Sequence, residues 1–234
     1  MKLKIVLLWI FLVIAFCFTA SFLLIEAYGY RINWDQKRIE KTSTIVVSGS
    51  PRNSLVKLNG QLVSESIPTS LNKLLPETYE VEIIKSGMQT WSKIVQVKPG
   101  QAVYLEHVLL FAFEPKAEKT ETIEKTKIEA NNLEQAKRLI LKDNEIWLDE
   151  NFVTRLSANI PNAIIGPDKF HIIFQLNNTL NVIDLDGANQ KTLIKLSSTE
   201  KSSFFTSGNN LIYTDMENIF QAQIKEPSSI LVWQ

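Results

Sequence analysis

Hydrophobic and polar positions follow three different rhythms along the chain. From Ile5 to Ile25, 21 consecutive positions carry no charge, in IVLLWIFLVIAFCFTASFLLI. At about 1.5 Å per residue a helix of this length crosses a hydrocarbon core of roughly 30 Å. Lys2 and Lys4 precede the run and Glu26 closes it. The alternative is a cleaved signal peptide, which has a shorter apolar region and small residues before the cut. Cleavage after Ala20 would set the bulky Phe18 in that small-residue position. The run is therefore read as an uncleaved transmembrane anchor over 5–25, behind a cytoplasmic tail at 1–4.

The second rhythm is short and alternating. Residues 26–42 form a polar juxtamembrane segment with Tyr28, Tyr30 and Trp34. These aromatics suit an interfacial belt, where ring and polar edge are each satisfied; a ligand-binding aromatic cluster is the alternative. From 43 to 111 the apolar residues recur at every second position. TIVVS sets Ile45 and Val47 on one face, and TYEVEIIK alternates Tyr79, Val81 and Ile83 with Glu80 and Glu82. Such alternation predicts half-buried strands. Asn59-Gly60 predicts a tight hairpin, because both residues tolerate positive φ. Further turns fall at Ile67-Pro68-Thr69, Leu75-Pro76-Glu77 and Lys98-Pro99-Gly100. Strands this close, without a helical period, predict a small antiparallel β-sandwich.

The turns also carry a family resemblance. Ser50-Pro51, Val56, Leu58, Asn59-Gly60, Ile67-Pro68-Thr69, Leu74-Leu75-Pro76, Tyr79, Val81 and Lys85-Ser86-Gly87 together resemble the PEGA domain. That resemblance implies a small β-sandwich module of bacterial and archaeal surface proteins, without catalytic residues to carry over. Three positions depart from the family pattern: Pro51-Arg52-Asn53-Ser54 replaces the name-giving turn, Glu77 a glycine and Met88 an aromatic residue.

Residues 112–135 mix Glu114, Lys116, Glu118, Lys119, Glu121, Glu124, Lys125, Lys127 and Glu129 with few apolar positions. They read as a charged linker or a short solvated helix, with a partner-binding tract as the alternative. From 136 to 234 strand-like runs return with a repeat. The stretch from Asn162 is matched by another from Ser202, 40 residues later. Ile172-Ile173-Phe174 aligns with Leu211-Ile212-Tyr213, and Ile146-Trp147-Leu148 belongs to an earlier partial copy. This period resembles β-propeller blades of the WD or TolB type. So few copies cannot close a ring, which leaves a partial propeller, an open stack of sheets or one share of an oligomer.

Composition and charge narrow the function. The chain has 234 residues, enough for one large domain or two small ones, with 25 basic and 25 acidic residues. That balance gives no support to nucleic-acid binding, which calls for a basic excess. Cys17, the only cysteine, lies in the apolar run, so no disulfide framework supports the rest. Lys2 and Lys4 favour a cytoplasmic N-terminus, while Arg31, Lys37, Arg38 and Lys41 favour the reverse. Long C-terminal domains translocate largely regardless of charge, so residues beyond the anchor are expected outside the cytoplasm. Asn177-Asn178-Thr179 matches the glycosylation triplet, a pattern common by chance.

Few residues point to chemistry. His107 and His171 stand in different regions, each without a local catalytic motif or the clustered ligands of a zinc site. Asp184-Leu185-Asp186-Gly187-Ala188-Asn189 resembles the start of a calcium loop, but Leu193-Ile194-Lys195 stands where the late glutamate belongs. Asp-Gly between two apolar runs is also an ordinary hairpin, the preferred reading. Glu145, Asp149 and Glu150 offer carboxylates of the kind glycosidases pair. No catalytic, cofactor or metal residue is assigned. The expectation is a single-pass, non-catalytic bacterial surface protein of the cell envelope, all-β behind its helix. Its expected partners are the membrane, an envelope protein or a wall polymer, or a second copy as a homo-oligomer. A glycan-acting envelope enzyme and a sensor ectodomain are the alternatives.

Overall fold

The computed structural model describes residues 2–34, 36–120 and 138–226, with side chains from Ile5 onward. Most of the expected linker, from 121 to 135, and the last residues, 227–234, lie outside that range. Helix α1 (Lys2–Ala27) carries the whole apolar run. No part of its Ile5–Ala27 stretch is buried within the protein, and the stretch is long and apolar enough to cross a bilayer. The mid-helix Thr19 hydroxyl donates back to the carbonyls of Ala15 and Phe16, which satisfies it without water.

After the helix, β1 (Tyr30–Asn33) and β2 (Arg38–Lys41) form an antiparallel hairpin with Ile32 opposite Ile39. Seven strands then build the two-sheet sandwich. They are β3 (Ser43–Ser50), β4 (Leu55–Leu58), β5 (Gln61–Ser64), β6 (Thr69–Leu74), β7 (Thr78–Ile84), β8 (Trp91–Gln96) and β9 (Ala102–Leu109). One sheet has the order β6-β3-β9 and the other β5-β4-β7-β8. The inward residues of the alternating runs, Ile45, Val47, Val56, Val81 and Ile83, are fully buried in one core.

The turns are built as their residues require. Asn59 and Gly60 both have positive φ, 49° and 77°, and the Asn59 side chain accepts from the backbone N–H of Glu80 at 2.8 Å. Tyr79 donates its hydroxyl back to the Leu75 carbonyl at 2.9 Å, which locks the Leu-Pro-x-x-Tyr turn. In the departing Pro51–Ser54 turn, the buried Ser54 hydroxyl donates to the Pro51 carbonyl.

The sandwich differs from the expected antiparallel arrangement at one pair. Strands β3 and β9 run parallel, and all of β4 to β8 serves as the crossover that parallel neighbours need. Between Val47 and Gly49 the register slips, so that Glu106 and His107 face Ser48 alone. A side chain on Gly49 would lie 2.0 Å from the Val108 carbonyl oxygen, so only glycine allows β9 to come this close.

Beyond the sandwich, the strands β10 (Ala117–Lys119), β11 (Leu139–Lys142), β12 (Glu145–Leu148), β13 (Asn151–Arg155), β14 (Ala163–Ile165) and β15 (His171–Leu176) are followed by β16 (Thr179–Asp184), β17 (Lys191–Lys195), β18 (Phe204–Ser207), β19 (Asn210–Asp215) and β20 (Asn218–Gln223). They form three antiparallel sheets in chain order: β11-β12-β13, β14-β15-β16-β17, and β10-β20-β19-β18. The 40-residue repeat corresponds to the hairpins β15–β16 and β19–β20. The start of the expected linker is corrected here. Residues 117–119 pair with β20 as a fourth strand and are not a free tether.

The middle sheet buries both faces. Ile172, Phe174 and Ile183 pack with Leu139, Ile146 and Val153 of the first sheet. Ile173, Leu180 and Val182 pack with Phe204, Leu211 and Tyr213 of the third. This explains why HIIFQL is continuously apolar to Phe174 instead of alternating. The outer face of the first sheet displays Ile140 and Phe152, with Trp147 edge-on to Phe152 at 5.4 Å.

Candidate functional site

The chain leaves the sandwich without a spacer. Leu110 belongs to the sandwich core and Phe111, the next residue, to the core between the second and third sheets. Backbone bonds fasten the crossing: Gln89 N–H to Phe111 O, Ala112 N–H to Ile224 O and Phe113 N–H to Gly87 O. The Gln89 side chain adds a bond to Thr192 O at 2.8 Å.

Beside this crossing lies a buried charge cluster. Asp168 sits in the turn before β15, where its Oδ1 accepts from the N–H groups of Phe170 and His171. The turn aims its Oδ2 at His171 Nδ1, 3.0 Å away. The other ring nitrogen, Nε2, lies 3.2 Å from Asp184 Oδ1 at the end of β16. His171 is 3% exposed, and the Phe111 ring closes on it edge-first at 5.5 Å. Asp184 also reaches the sandwich. Its Oδ2 accepts from Trp91 Nε1 and from Asn189 Nδ2, both at 3.0 Å. Asn189 Oδ1 accepts from Ser92 N–H at 3.0 Å, and Lys93 pairs with Asp186.

The charges are mutually supporting. Burial opposes a charge on His171, but hydrogen bonds and attraction from Asp168 and Asp184 outweigh it and raise its pKa to about 9. Burial likewise opposes ionised Asp168 and Asp184, and the His171 contacts outweigh that, holding both below the ordinary carboxylate value. Lys225 is held low by burial, against the pull of Asp168. An imidazolium with both nitrogens engaged by carboxylates has no lone pair with which to take a proton. In this geometry the cluster is a clasp between two regions.

The other sequence candidates lie apart. Asp184 and Asp186 stand in the β16–β17 turn, where the Gly187 N–H donates to the Asp184 carbonyl. Their carboxylates diverge, one to His171 and Trp91, the other to Lys93. Glu145 is held by Arg155 and by Trp147 Nε1, and Asp149 by Arg138. Hydrogen bonds from those arginines hold both carboxyls below their ordinary pKa. His107, turned outward by the slip in β9, stacks on Phe170 with ring centroids 3.4 Å apart. Two open hollows of about 530 and 550 Å³ flank the crossing, lined by Phe113 and Tyr213 on one side and by Met88 and Lys225 on the other. Neither includes His171. Among the described residues, no three His, Cys, Asp or Glu groups are placed to hold a metal ion.

Sequence reasoning missed Asp168 and Trp91 as members of the cluster. An acid three residues before a histidine, at the entry to the apolar run Ile172-Ile173-Phe174, was the available signal.

A small two-sheet sandwich with an Asn-Gly hairpin and a tyrosine-locked Leu-Pro turn is the class of module that 42–110 defines. Those residues match the family model of the PEGA domain. The match covers under a third of the chain. No curated protein matches it.

Proposed function

We propose that the chain is a single-pass, non-catalytic protein of a bacterial cell envelope, with residues 43–234 outside the cytoplasm. In this reading it spaces or binds an envelope protein or a wall polymer. The observation that carries it is that the PEGA domain is fastened at both ends. On the helix side, Lys73 pairs with Glu26 at 2.7 Å and its carbonyl accepts from Arg31 at 3.0 Å. On the far side are the Trp91–Asp184 bond and the Lys85–Glu226 pair. A module tied this way sets a distance and an orientation, which a flexible tether cannot do.

The three sheets form a partial, propeller-like array in this reading. Support comes from the consecutive meanders β11–β13, β14–β17 and β18–β20, and from β10, which supplies an outer strand to the last from earlier in the chain. Three sheets are fewer than the four or so a closed ring needs, so a shared ring or an open array follows. Light scattering of the full chain in detergent distinguishes these by the number of copies.

Protease added to spheroplasts should digest residues 43–234; full protection until lysis reverses the orientation. Turnover of peptidoglycan or another glycan that is lost on changing His171 or a nearby acid would overturn the non-catalytic reading.

A further inference from the structure

The β1–β2 hairpin buries two polar side chains and exposes two large apolar ones. Its polar residues Asn33 and Glu40 are 7% and 9% exposed, while Trp34 and Ile39 are 79% and 55% exposed. Glu40 accepts from Asn33 Nδ2 at 2.9 Å and pairs with Arg38 at 2.6 Å. Register places Tyr30, Ile32, Ile39 and Lys41 on the opposite face. Buried polar groups and exposed large apolar ones are the informative departures from the usual pattern.

The hairpin and α1 together line a hollow of about 440 Å³, with Phe22, Ile25, Ile32, Trp34, Ile39 and Leu75 among its walls and Glu26 and Asn33 as polar members. Phe22 lies five residues before the helix end at Ala27, which is about 7.5 Å along the axis. The hollow therefore reaches back beside the apolar segment, to the depth of lipid where α1 spans. Arg31 also lines it. Its Nη1 donates to Lys73 O, and the rest of the guanidinium fork suits a phosphate.

We propose that this hairpin is a lipid-contacting foot, and that the hollow holds an acyl chain of a phospholipid from the leaflet into which α1 emerges. The inference rests on α1 being a membrane anchor. With the foot seated, the PEGA domain is held at a set tilt to the membrane, because Lys73 is bonded to both Glu26 and Arg31.

The test uses the full chain in phosphatidylethanolamine–phosphatidylglycerol nanodiscs, with Cys17→Ser as background and one nitroxide label at a time. A label at Ile39→Cys should collide more with oxygen than with a water-soluble nickel chelate, by several-fold relative to a label at exposed Lys201→Cys. Equal behaviour at the two positions overturns the foot. Shielding of Ile39→Cys from both reagents also overturns it, because protein then covers the face. A label at Leu12→Cys separates the two readings. If it too is aqueous, the anchor reading fails; if it is in lipid while Ile39→Cys is aqueous, only the foot fails. Native mass spectrometry of the detergent-extracted chain should find phospholipid retained, with several-fold lower occupancy for Ile39→Glu. Unchanged occupancy overturns the hollow as its site.

Discussion

The PEGA domain and the three sheets after it are both antiparallel in most of their pairings, yet they are held by different means. The sandwich buries almost only apolar side chains. Its buried polar groups, Ser43 and Ser54, are hydroxyls bonded to backbone carbonyls. The sheet region buries His171, Gln175, Asn181 and Ser202. Gln175 donates to Glu200 O and accepts from Ser202 N–H, and Ser202 donates to Thr214 O. These bonds wire the second sheet to the third, as Asp184, held by His171, wires the second sheet to Trp91 of the sandwich. A closed two-sheet core is specified by its turns. An open series of sheets relies on buried polar links, each costly to leave half-made.

The comparison is broken most directly at His171. His171→Leu leaves the half-buried Asp168 and Asp184 without their cation, which costs at most on the order of 3–5 kcal/mol. Denaturant titration of the full chain in detergent, read by hydrogen exchange, should show residues 138–226 weakened far more than 42–110. Equal losses in both would make them one cooperative unit and end the contrast.

Acidity probes the same cluster without mutation. His171 binds its proton more tightly folded, to about pH 9, than at its ordinary 6.5. Its contribution is thus complete below pH 6.5 and is lost as pH rises through 9. Asp168 and Asp184, held below their ordinary 3.8, contribute above that value and lose the contribution on acidification. The midpoint for 138–226 should be highest between these limits and fall from pH 6.5 to 9, a decline absent from His171→Leu.

Trp91→Phe sharpens the boundary between the regions. The ring stays, but Asp184 loses a donor from the sandwich, a bond to a charged group of about 1.5–3 kcal/mol. Exchange should quicken at the Gln89 and Ser92 amides, with β4 and β5 little changed. Protection unchanged at those amides would show that the crossing alone joins the regions.

The smallest effect is expected inside the sandwich. Gly60→Val puts a β-branched residue at a φ of 77°, with no neighbour within 4 Å to clash. Backbone strain alone then costs on the order of 1–3 kcal/mol. Asn59→Asp keeps the oxygen that accepts from Glu80 and should shift the midpoint little. A large loss for Asn59→Asp would mean that the amide nitrogen has a role the turn does not explain.

The sandwich was more legible in the sequence than the candidate site. Asn59-Gly60 and Leu75-Pro76 through Tyr79 specify turns through φ preference and a hydroxyl reaching four residues back, and both lie within a few residues. The alternating runs named the buried Ile45, Val47, Val81 and Ile83. Alternation does not carry through His107, because the extra residue in β9 reverses which side faces inward. It also fails at 117–119, where charged residues form a strand through backbone bonds to β20 that no side-chain pattern announces.

By itself the sequence determined the apolar helix, the turns and the strand rhythm, since each depends on a residue's own φ preference or on a neighbour two to four positions away. Only the tertiary structure decided that His171 would be a clasped imidazolium. The Trp91–Asp184 bond spans 93 positions, and the pKa of His171 comes from two carboxylates and the burial that long-range packing imposes. Burial and electrostatics are properties of the assembled volume, and no short window of residues contains them.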